Sequence, residues 1–496
     1  MPDTRVSLGA EAQPTEFLSN GLSPLRQLLG GTLWNGLAVA ASRFLSSAMT
    51  IILAWWLEPS ELGAISFVLA YYNVIALIAD WSIGYGLQKL IPENQSIIAE
   101  IAWTALLVRL GFSSVLGIVC VILDVTTGVF HGYGIYLALL LVSSAFGIIP
   151  YLRFACCDFM AGSLMAVALQ LAWLAITVVL VRAGMRITGP LLGLCISYLC
   201  LGIVGFLLTP SLRRRISFLR HVALEILGFG LWATLATALN EFVGQIGILI
   251  ATYASGDAAG GVFKVASTFG MVPALLGMTI ALPLMPVAKR AMIERGHDSA
   301  DLVLPIVRYL LMVGLPIAAA GIVLAPTVIR VFVRESYLSA VWPLRILLAA
   351  NLLRMIVTAL SGVLFVGEGL RQLAKIYSIT AMVSVAGGIL LGHFWGAPGV
   401  AMGILMAWAV GALLLQKLFI GETSLRLEWN KYLRYAGSAV FVAGLAFLTA
   451  GPAGHPLRQF LVGACVTGFA YAFLLWLQKD VAFLNLMGIF LRWPAR

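Results

Sequence analysis

Six charged side chains lie inside long apolar stretches of the 496-residue chain, and these are the residues whose types could do chemistry. An ionised group at the centre of a bilayer costs about 2.5–3.5 kcal/mol. Each one therefore needs an opposite charge, a water-filled cavity or a route to the interface, and could bind an ion or a charged ligand. The six are Arg43, Asp80, Arg109, Glu241, Arg345 and Arg354.

The composition decides which class of protein must position these charges. Hydrophobic residues make up 61% of the chain, charged residues 10%, and the mean hydropathy is +1.00. A soluble domain is about 45–50% apolar and about 25% charged. The composition thus excludes a soluble protein, a disordered chain, a disulfide scaffold and a coiled coil. It predicts an all-α integral membrane protein.

A membrane-spanning helix needs about 20 mostly apolar residues, and about fourteen runs of this kind can be separated along the chain. No segment between them exceeds about 20 residues, so we expect no soluble domain. The predicted spans are 31–57, 62–88, 101–123, 133–157, 161–181, 187–209, 222–254, 259–287, 304–333, 338–366, 372–393, 397–420, 433–451 and 458–478.

The distribution of Lys and Arg predicts the orientation. One set of alternate loops and tails carries 21 of them and the opposite set six, with four inside helices. The positive-inside rule then places both termini in the cytoplasm. The same rule accounts for the net charge of +10 without nucleic acid as a partner. Four arginines on the outer side are exceptions: Arg182, Arg186, Arg330 and Arg334.

An internal repeat divides the predicted helices. Shifted by 198 residues, the pattern that begins at Leu33-Trp34 matches the pattern at Leu231-Trp232, and Gly63 matches Gly261. Repeats of this kind are common in transporters. Two six-helix pseudo-symmetric lobes are predicted, with two further helices. The segments are a disordered cytoplasmic tail 1–28, an N-terminal lobe 29–210, a basic cytoplasmic linker 211–221, a C-terminal lobe 222–420, and helices 13–14 with the C-terminal tail over 421–496.

Arg43 and Glu241 occupy equivalent positions in the two repeats, and each lies on a polar helix face. Spacings of three and four residues place the neighbouring polar side chains on the same face as the charge. The pattern predicts a hydrated cavity between the halves; a static ion pair that locks the halves together is the alternative. The polar side chains are Ser42, Ser46, Ser47, Thr237, Asn240 and Gln245.

The other charges leave alternatives open. Asp80 either pairs with Arg43 or acts as a protonatable coupling site. Arg109 either faces water or snorkels to the interface. Arg354 either pairs with an acid or adds positive charge to the cavity, and Lys264 could snorkel to the outer interface.

The cysteines, histidines and known nucleotide motifs give no further site. The six cysteines and five histidines lack metal-ligand spacing, so no metal and no cofactor is expected. The chain carries no GxxxxGK[ST] motif for ATP-driven transport. We therefore expect a transporter rather than an enzyme.

Several stretches resemble the polysaccharide flippases (O-antigen and exopolysaccharide) of the multidrug/oligosaccharidyl-lipid/polysaccharide exporter superfamily. The resemblance covers residues 30–420. Its motifs are Leu57-Glu58-Pro59-Ser60-Glu61-Leu62-Gly63 before an aromatic-rich helix, Gly261-Val262-Phe263 through Pro286, Leu324-Ala325-Pro326, and Gly396-Ala397-Pro398-Gly399-Val400-Ala401.

The resemblance implies a V-shaped pair of lobes that works by alternating access in the bacterial inner membrane, on isoprenoid-pyrophosphate-linked sugars. By position, Arg43 and Arg354 would attract the phosphates, with Arg109 and Arg345 as further candidates. Glu241 departs from a purely cationic cavity and leaves room for proton coupling. Expected partners are the lipid-linked oligosaccharide and membrane lipids, with a polymerase or chain-length protein of the pathway as a candidate. The chain is expected to be a monomer.

Three other functions compete with this interpretation. An ion-coupled multidrug extruder would favour an acidic, aromatic cavity, whereas intramembrane Arg here outnumbers acids. A flippase for the peptidoglycan precursor is a close variant. An integral-membrane polysaccharide polymerase or ligase would belong to a different class and would need a long outer loop, which the spacing of the spans does not provide.

Overall fold

The computed structural model describes residues 24–156, 158–209, 216–278, 300–364, 369–422, 429–450, 456–478 and 480. Every regular element in these ranges is helical. The α-helices are α1 (Pro24–Trp56), α2 (Pro59–Asp80), α3 (Ile83–Glu93), α4 (Ile98–Thr127), α5 (Gly134–Ser144), α6 (Ile148–Ala155), α7 (Phe159–Arg182), α8 (Thr188–Leu208), α9 (Arg220–Ser255), α10 (Asp257–Gly270), α11 (Val272–Met278), α12 (Ala300–Phe332), α13 (Val341–Leu364), α14 (Leu370–Glu422), α15 (Trp429–Ala450) and α16 (Pro456–Leu477).

Within the described ranges, eleven helical segments are long and apolar enough to cross a membrane. Helices α10 and α11 form one more if they are taken as a single span bent by 52°. Helix α14 counts once among the eleven, but it reverses at Gly396, whose φ is +60°. Behind this reversal Gly387 packs on Gly403 and Gly392 on Val400, so α14 is an antiparallel helical hairpin.

The all-α multi-pass fold class is therefore confirmed. The fourteen predicted runs fall on these helices, with the two runs 372–393 and 397–420 on the halves of α14 and the run 433–451 on α15. The ends of the predicted spans 259–287, 338–366 and 433–451 lie outside the described residues.

Local chemistry sets several helix boundaries. Pro59 begins α2, where its missing N–H is not needed, and the Glu61 carboxylate accepts a hydrogen bond from the Glu58 backbone N–H at 2.9 Å. Asp124, near the end of α4, accepts bonds from the backbone N–H groups of Phe130, Gly132 and Gly134 at 2.7–3.1 Å. One carboxylate thus fixes the whole turn between α4 and α5.

The two Gly-x-x-x-Gly sequences pack helices in equivalent places. Gly189 and Gly193 of α8 lie against Leu180 and Thr177 of α7. In the α14 hairpin, Gly399 and Gly403 lie against the backbone of the preceding half. Small residues allow this close approach of helix axes. Both motifs therefore pack the helix that contains them against the helix that precedes it.

Helices α2 and α10 cross through a reciprocal contact. A Cβ added at Gly63 would collide with the Asp257 carbonyl, and one added at Gly261 would collide with the Pro59 carbonyl. Each added Cβ would also lie 3.0 Å from the backbone N of the other glycine. Pro59 and Asp257 are separated by the same 198 residues as the two glycines, as expected for pseudo-twofold symmetry. The lobe boundaries stay predictions; α1 begins at Pro24, inside the predicted tail 1–28, and residues 1–23 lie outside the described ranges.

The last two helices are held to the rest by a polar contact. Helices α15 and α16 pack against α12 and against each other. Arg308 of α12 donates to the Tyr435 hydroxyl at 2.9 Å and to the Asp480 carboxylate at 3.0 Å, and Tyr435 donates to Asp480 at 2.8 Å. These bonds link α12, α15 and the segment after α16.

Candidate functional site

Four charged side chains from four helices form what we call the central cluster. They are Arg43 of α1, Glu241 of α9, Lys264 of α10 and Arg354 of α13. Arg43 and Glu241 act electrostatically on both Lys264 and Arg354. Three cations and one acid leave the central cluster with an excess of positive charge. Such a group attracts anions.

The central cluster lies deep in its helices. Glu241 is about 16 and 21 Å from the two ends of its apolar segment Gly230–Ser255, and Arg354 is about 20 and 15 Å from the two ends of α13, at 1.5 Å per residue. A charge at that depth cannot reach the interface by extending its side chain. Arg43, Glu241 and Lys264 are partly exposed, whereas Arg354 is only 4% exposed. Three of the four side chains of the cluster therefore keep surface that the protein itself does not cover.

Neighbouring side chains hold Arg354 in place, but they leave two of its hydrogen-bond donor atoms without an acceptor. Its guanidinium carbon lies 5.3 Å from the centre of the Trp408 ring, which is a cation–π distance. Gly244 of α9 allows the approach, since an added Cβ there would lie 3.1 Å from Nη1. The Nε and Nη2 atoms are buried and have no hydrogen-bond partner. Buried donors are nearly always paired, so these two are available to a ligand.

Glu241 accepts a hydrogen bond from the Gln245 amide at 2.6 Å, one helical turn along α9. It forms no ion pair within 4.0 Å with Arg43 or with any other cation among the described residues. In this conformation the two repeat-related charges are thus not locked together. Both remain open to exchange with a charged ligand.

The predicted polar faces lie beside these charges. Ser42, Ser46 and Ser47 are partly exposed on α1. On α9, the Thr237 hydroxyl donates to the Ala233 carbonyl of its own helix, and the Asn240 side-chain oxygen is buried without a partner. Both α1 and α9 therefore carry polar atoms on the helix face that bears their member of the cluster.

Asp80 and Arg109 form a separate, charge-balanced pair. Arg109 Nη1 lies 2.9 Å from Asp80 Oδ1, a contact distance without the alignment of a hydrogen bond. Arg109 is 8% exposed, and its charge acts on Tyr72 and Tyr198, whose hydroxyls are 3.1 Å apart. The structure thus brings Asp80 to Arg109 of α4 rather than to Arg43.

Arg345 lies apart from the central cluster, nine residues before Arg354 on α13 and about 13 Å along the helix. Its Nε donates to the Ile322 carbonyl at 3.0 Å, and its guanidinium lies 4.9 Å from the Trp342 ring centre. These contacts fix it near the start of α13. Arg345 contacts no member of the central cluster, so its predicted role in phosphate binding stays a prediction.

Lys264 is the cluster member that the sequence interpretation placed at the interface. The signal for its position lay in the repeat, because Gly261 crosses α2 at the pseudo-twofold contact and Lys264 follows it by three residues on the same face. The tight crossing turns that face toward the interior. Trp408 was missed as well, since a single aromatic residue in an apolar helix carries no pattern.

An aromatic cluster links α2 to the end of α9. The Tyr71 and Tyr253 hydroxyls lie 2.9 Å apart, and Tyr253 donates to the Val129 carbonyl at 3.1 Å. Phe67 stacks on His131 with ring centres 4.8 Å apart. These contacts join α2, α9 and the turn between α4 and α5, in addition to the α2–α10 crossing.

The comparison with protein families decides the family. A family described as polysaccharide biosynthesis protein matches residues 52–342, more than half of the chain. The chain belongs to this family. The matched residues include Asp80, Arg109, Glu241 and Lys264, and the matched segment ends after the start of α13. A comparison with curated protein sequences gives no match.

The fold is shared with solved transporters. A lipid II flippase, MurJ, in an inward closed conformation is similar with a TM-score of 0.66 at 15% identity, over 88% of this chain and 98% of that chain. An inward-facing multidrug-resistance MATE transporter of the MOP superfamily gives 0.60 at 18%, over 80% and 96%. A MOP-superfamily transporter from Pyrococcus furiosus, whose binding pocket has reversed polarity, gives 0.56 at 16%, over 83% and 98%.

Proposed function

We propose that this protein is a flippase that moves isoprenoid-diphosphate-linked oligosaccharide across the bacterial inner membrane for surface polysaccharide synthesis, with both termini in the cytoplasm. Membership of a polysaccharide biosynthesis family and the transporter fold support transport rather than catalysis. The observation that carries the substrate class is the central cluster, in which three cations, Arg43, Lys264 and Arg354, accompany a single acid, Glu241.

A diphosphate is the ligand chemistry that matches this cluster. Guanidinium groups bind phosphate oxygens with paired, charge-assisted hydrogen bonds. Two donors of Arg354 are buried without partners, and hydrogen bonds from them to phosphate oxygens offset the cost of their desolvation. Arg43 and Lys264 supply further positive charge from α1 and α10. An anionic head thus gains contacts that a neutral sugar would not.

Glu241 gives the cluster a means of releasing its ligand. While the site is empty, the carboxylate offsets part of the positive charge, and Gln245 orients it. A diphosphate competes with it for the same cations, so binding is tight enough to capture the head and weak enough to let it go. Proton coupling at Glu241 is the alternative use of the same carboxylate.

Transport then follows from closing one end of the cavity at a time. The crossing of Gly63 and Gly261 and the Tyr71–Tyr253 contact close the end that the proposed orientation places outside. The head enters from the cytoplasmic side and meets the central cluster, while the isoprenoid tail stays in the hydrocarbon, about 30 Å thick. Opening the closed end releases the head to the other side.

The peptidoglycan precursor is a second candidate substrate, because the similarity to the lipid II flippase MurJ extends over 98% of that chain. Its head is also a diphosphate, so the cluster does not separate the two. Complementation of a strain that depends on a lipid II flippase decides between them. Growth without surface polysaccharide would assign the precursor, whereas restored polysaccharide without growth would assign the oligosaccharide.

The test of the proposed function uses a deletion strain of the source bacterium. Arg43→Ala should abolish polysaccharide export and leave the lipid-linked oligosaccharide in the inner leaflet, at normal abundance of the variant. Arg43→Lys should keep part of the export because it keeps the charge but loses the forked donors. Arg330→Ala, at an exposed arginine outside the cluster, is the control. Full export by Arg43→Ala would refute the proposal.

A static lock between Arg43 and Glu241 makes different predictions. Arg43→Ala would then lower abundance, and the charge swap Arg43→Glu with Glu241→Arg would restore it. The flippase proposal expects normal abundance in the single variant and no export in the swap.

A further inference from the structure

A second basic site lies at the end of the molecule where α1 and α7 finish. Seven residues border one open pocket there, which we call the Trp–Arg pocket, and five of them are tryptophans or arginines. Its cations come from α7, from the turn after α7 and from the turn after α12. The five are Trp55, Trp56, Arg182, Arg186 and Arg334. We infer that the Trp–Arg pocket binds the phosphate of an anionic lipid head.

Protein carboxylates pair with only one of the three cations of the pocket among the described residues. Arg186 Nη2 lies 2.8 Å from Glu61 Oε2, so one of the three cations is paired. Arg182 and Arg334 have no carboxylate within 4.0 Å in the part of the chain that the structure describes. Glu58 is exposed and lies in the same region, because its charge and that of Arg334 both act on Tyr337, but the two side chains form no ion pair within 4.0 Å. Two guanidinium groups are left for a ligand.

The walls of the pocket hold these groups in place. The Arg182 guanidinium lies 5.3 Å from the Trp56 ring centre, which orients it by a cation–π contact. Trp55, 49% exposed, donates from its indole to the Phe332 carbonyl at 2.8 Å. Arg186 also donates to the Trp56 carbonyl at 3.2 Å. The pocket is thus a built surface rather than a set of loose side chains.

The level of the pocket matches a lipid head. Tryptophan side chains mark the interface between hydrocarbon and head groups. In the orientation of the proposed function, on which this step rests, the pocket faces the outer leaflet, where arginine is usually scarce. A phosphate at this level has two sources: an anionic phospholipid such as phosphatidylglycerol, or the isoprenoid diphosphate of a substrate that has crossed.

The test measures binding to the purified full chain in phosphatidylcholine nanodiscs by native mass spectrometry. The two probes are phosphatidylglycerol and farnesyl diphosphate. The double variant Arg182→Gln with Arg334→Gln should weaken retention of at least one probe tenfold or more, and 0.5 M salt should weaken it in the unaltered protein. The matched control is Arg330→Gln, an exposed arginine on α12 outside the pocket, which should bind like the unaltered protein.

The arms of the test separate the two sources and the two sites. A loss limited to phosphatidylglycerol assigns a lipid site, and a loss limited to farnesyl diphosphate assigns a site for the crossed substrate. Equal binding by the double variant and the unaltered protein overturns the inference. Arg43→Gln, outside the Trp–Arg pocket, should leave phosphatidylglycerol retention unchanged. Failure of the proposed function would instead appear in the export test, as full export by Arg43→Ala. That outcome would not change the phosphatidylglycerol retention measured here.

Discussion

The Asp80–Arg109 pair and the central cluster are both groups of charges inside the helices, but they differ in charge balance and in exposure. Asp80 and Arg109 are in contact at 2.9 Å, and Arg109 is 8% exposed. The central cluster gathers three cations around Glu241, forms no contact pair among the described residues, and is partly exposed at three of its four members.

The difference separates a structural role from a binding role. A buried ion pair that is already neutral has little to offer a ligand, and removing one partner leaves an uncompensated charge. A cluster with excess positive charge differs, because an anionic ligand reduces the repulsion among its cations. We therefore assign stability to the Asp80–Arg109 pair and substrate binding to the cluster, and Arg109 becomes a weaker candidate for phosphate binding than its charge alone indicates.

The largest expected effect follows from breaking the balanced pair. Asp80→Asn leaves Arg109 buried without its counter-charge and should lower the free energy of unfolding by about 3–5 kcal/mol. The measurement is thermal unfolding of the detergent-solubilised protein, followed by size-exclusion chromatography. The double variant Asp80→Asn with Arg109→Gln should recover most of the loss. If Arg354→Gln destabilises the protein as much as Asp80→Asn does, the proposed division of roles is wrong.

The next effect concerns the crossing that joins the two regions. Gly261→Val puts a side chain against the Pro59 carbonyl and should destabilise the fold by about 3 kcal/mol, since backbone must move. Membrane abundance and thermal unfolding report this loss. The control is Gly111→Val on α4, where an added Cβ meets nothing within 4 Å. Equal abundance of the two variants would contradict the reciprocal contact.

A smaller effect is expected from removing the only acid of the central cluster. Glu241→Gln increases repulsion among Arg43, Lys264 and Arg354 and should destabilise the protein by about 1 kcal/mol, as for a partly exposed charge contact. The thermal unfolding temperature in 0.5 M salt should move back toward that of the unaltered protein because of screening. An unfolding temperature that rises in the variant would show that Glu241 is not balancing the cations.

The sequence predicted the helices and the depth of the charges better than it predicted their partners. Arg43, Glu241 and Arg354 could be placed deep in spans because length and hydropathy set depth. The partner of Asp80 could not be predicted, since the predicted spans on both sides of it carry an arginine, Arg43 and Arg109, and only helix rotation selects one. The sequence left Lys264 free to snorkel to the outer interface, because its distance from the helix end was considered without the tight α2–α10 crossing. Arg345 and Arg354 both lie on the apolar helix α13, and the sequence does not reveal that Arg345 contacts Trp342 instead of the central cluster.

The most direct test of the account is whether the central cluster binds a diphosphate. Farnesyl diphosphate is titrated calorimetrically into purified protein that carries Arg182→Gln and Arg334→Gln, so that the Trp–Arg pocket does not contribute. Adding Arg43→Gln and Arg354→Gln to this background should weaken binding at least tenfold without lowering the unfolding temperature. If the added Arg43→Gln and Arg354→Gln changes leave the affinity for farnesyl diphosphate unchanged, the assignment of the central cluster as the substrate site is contradicted.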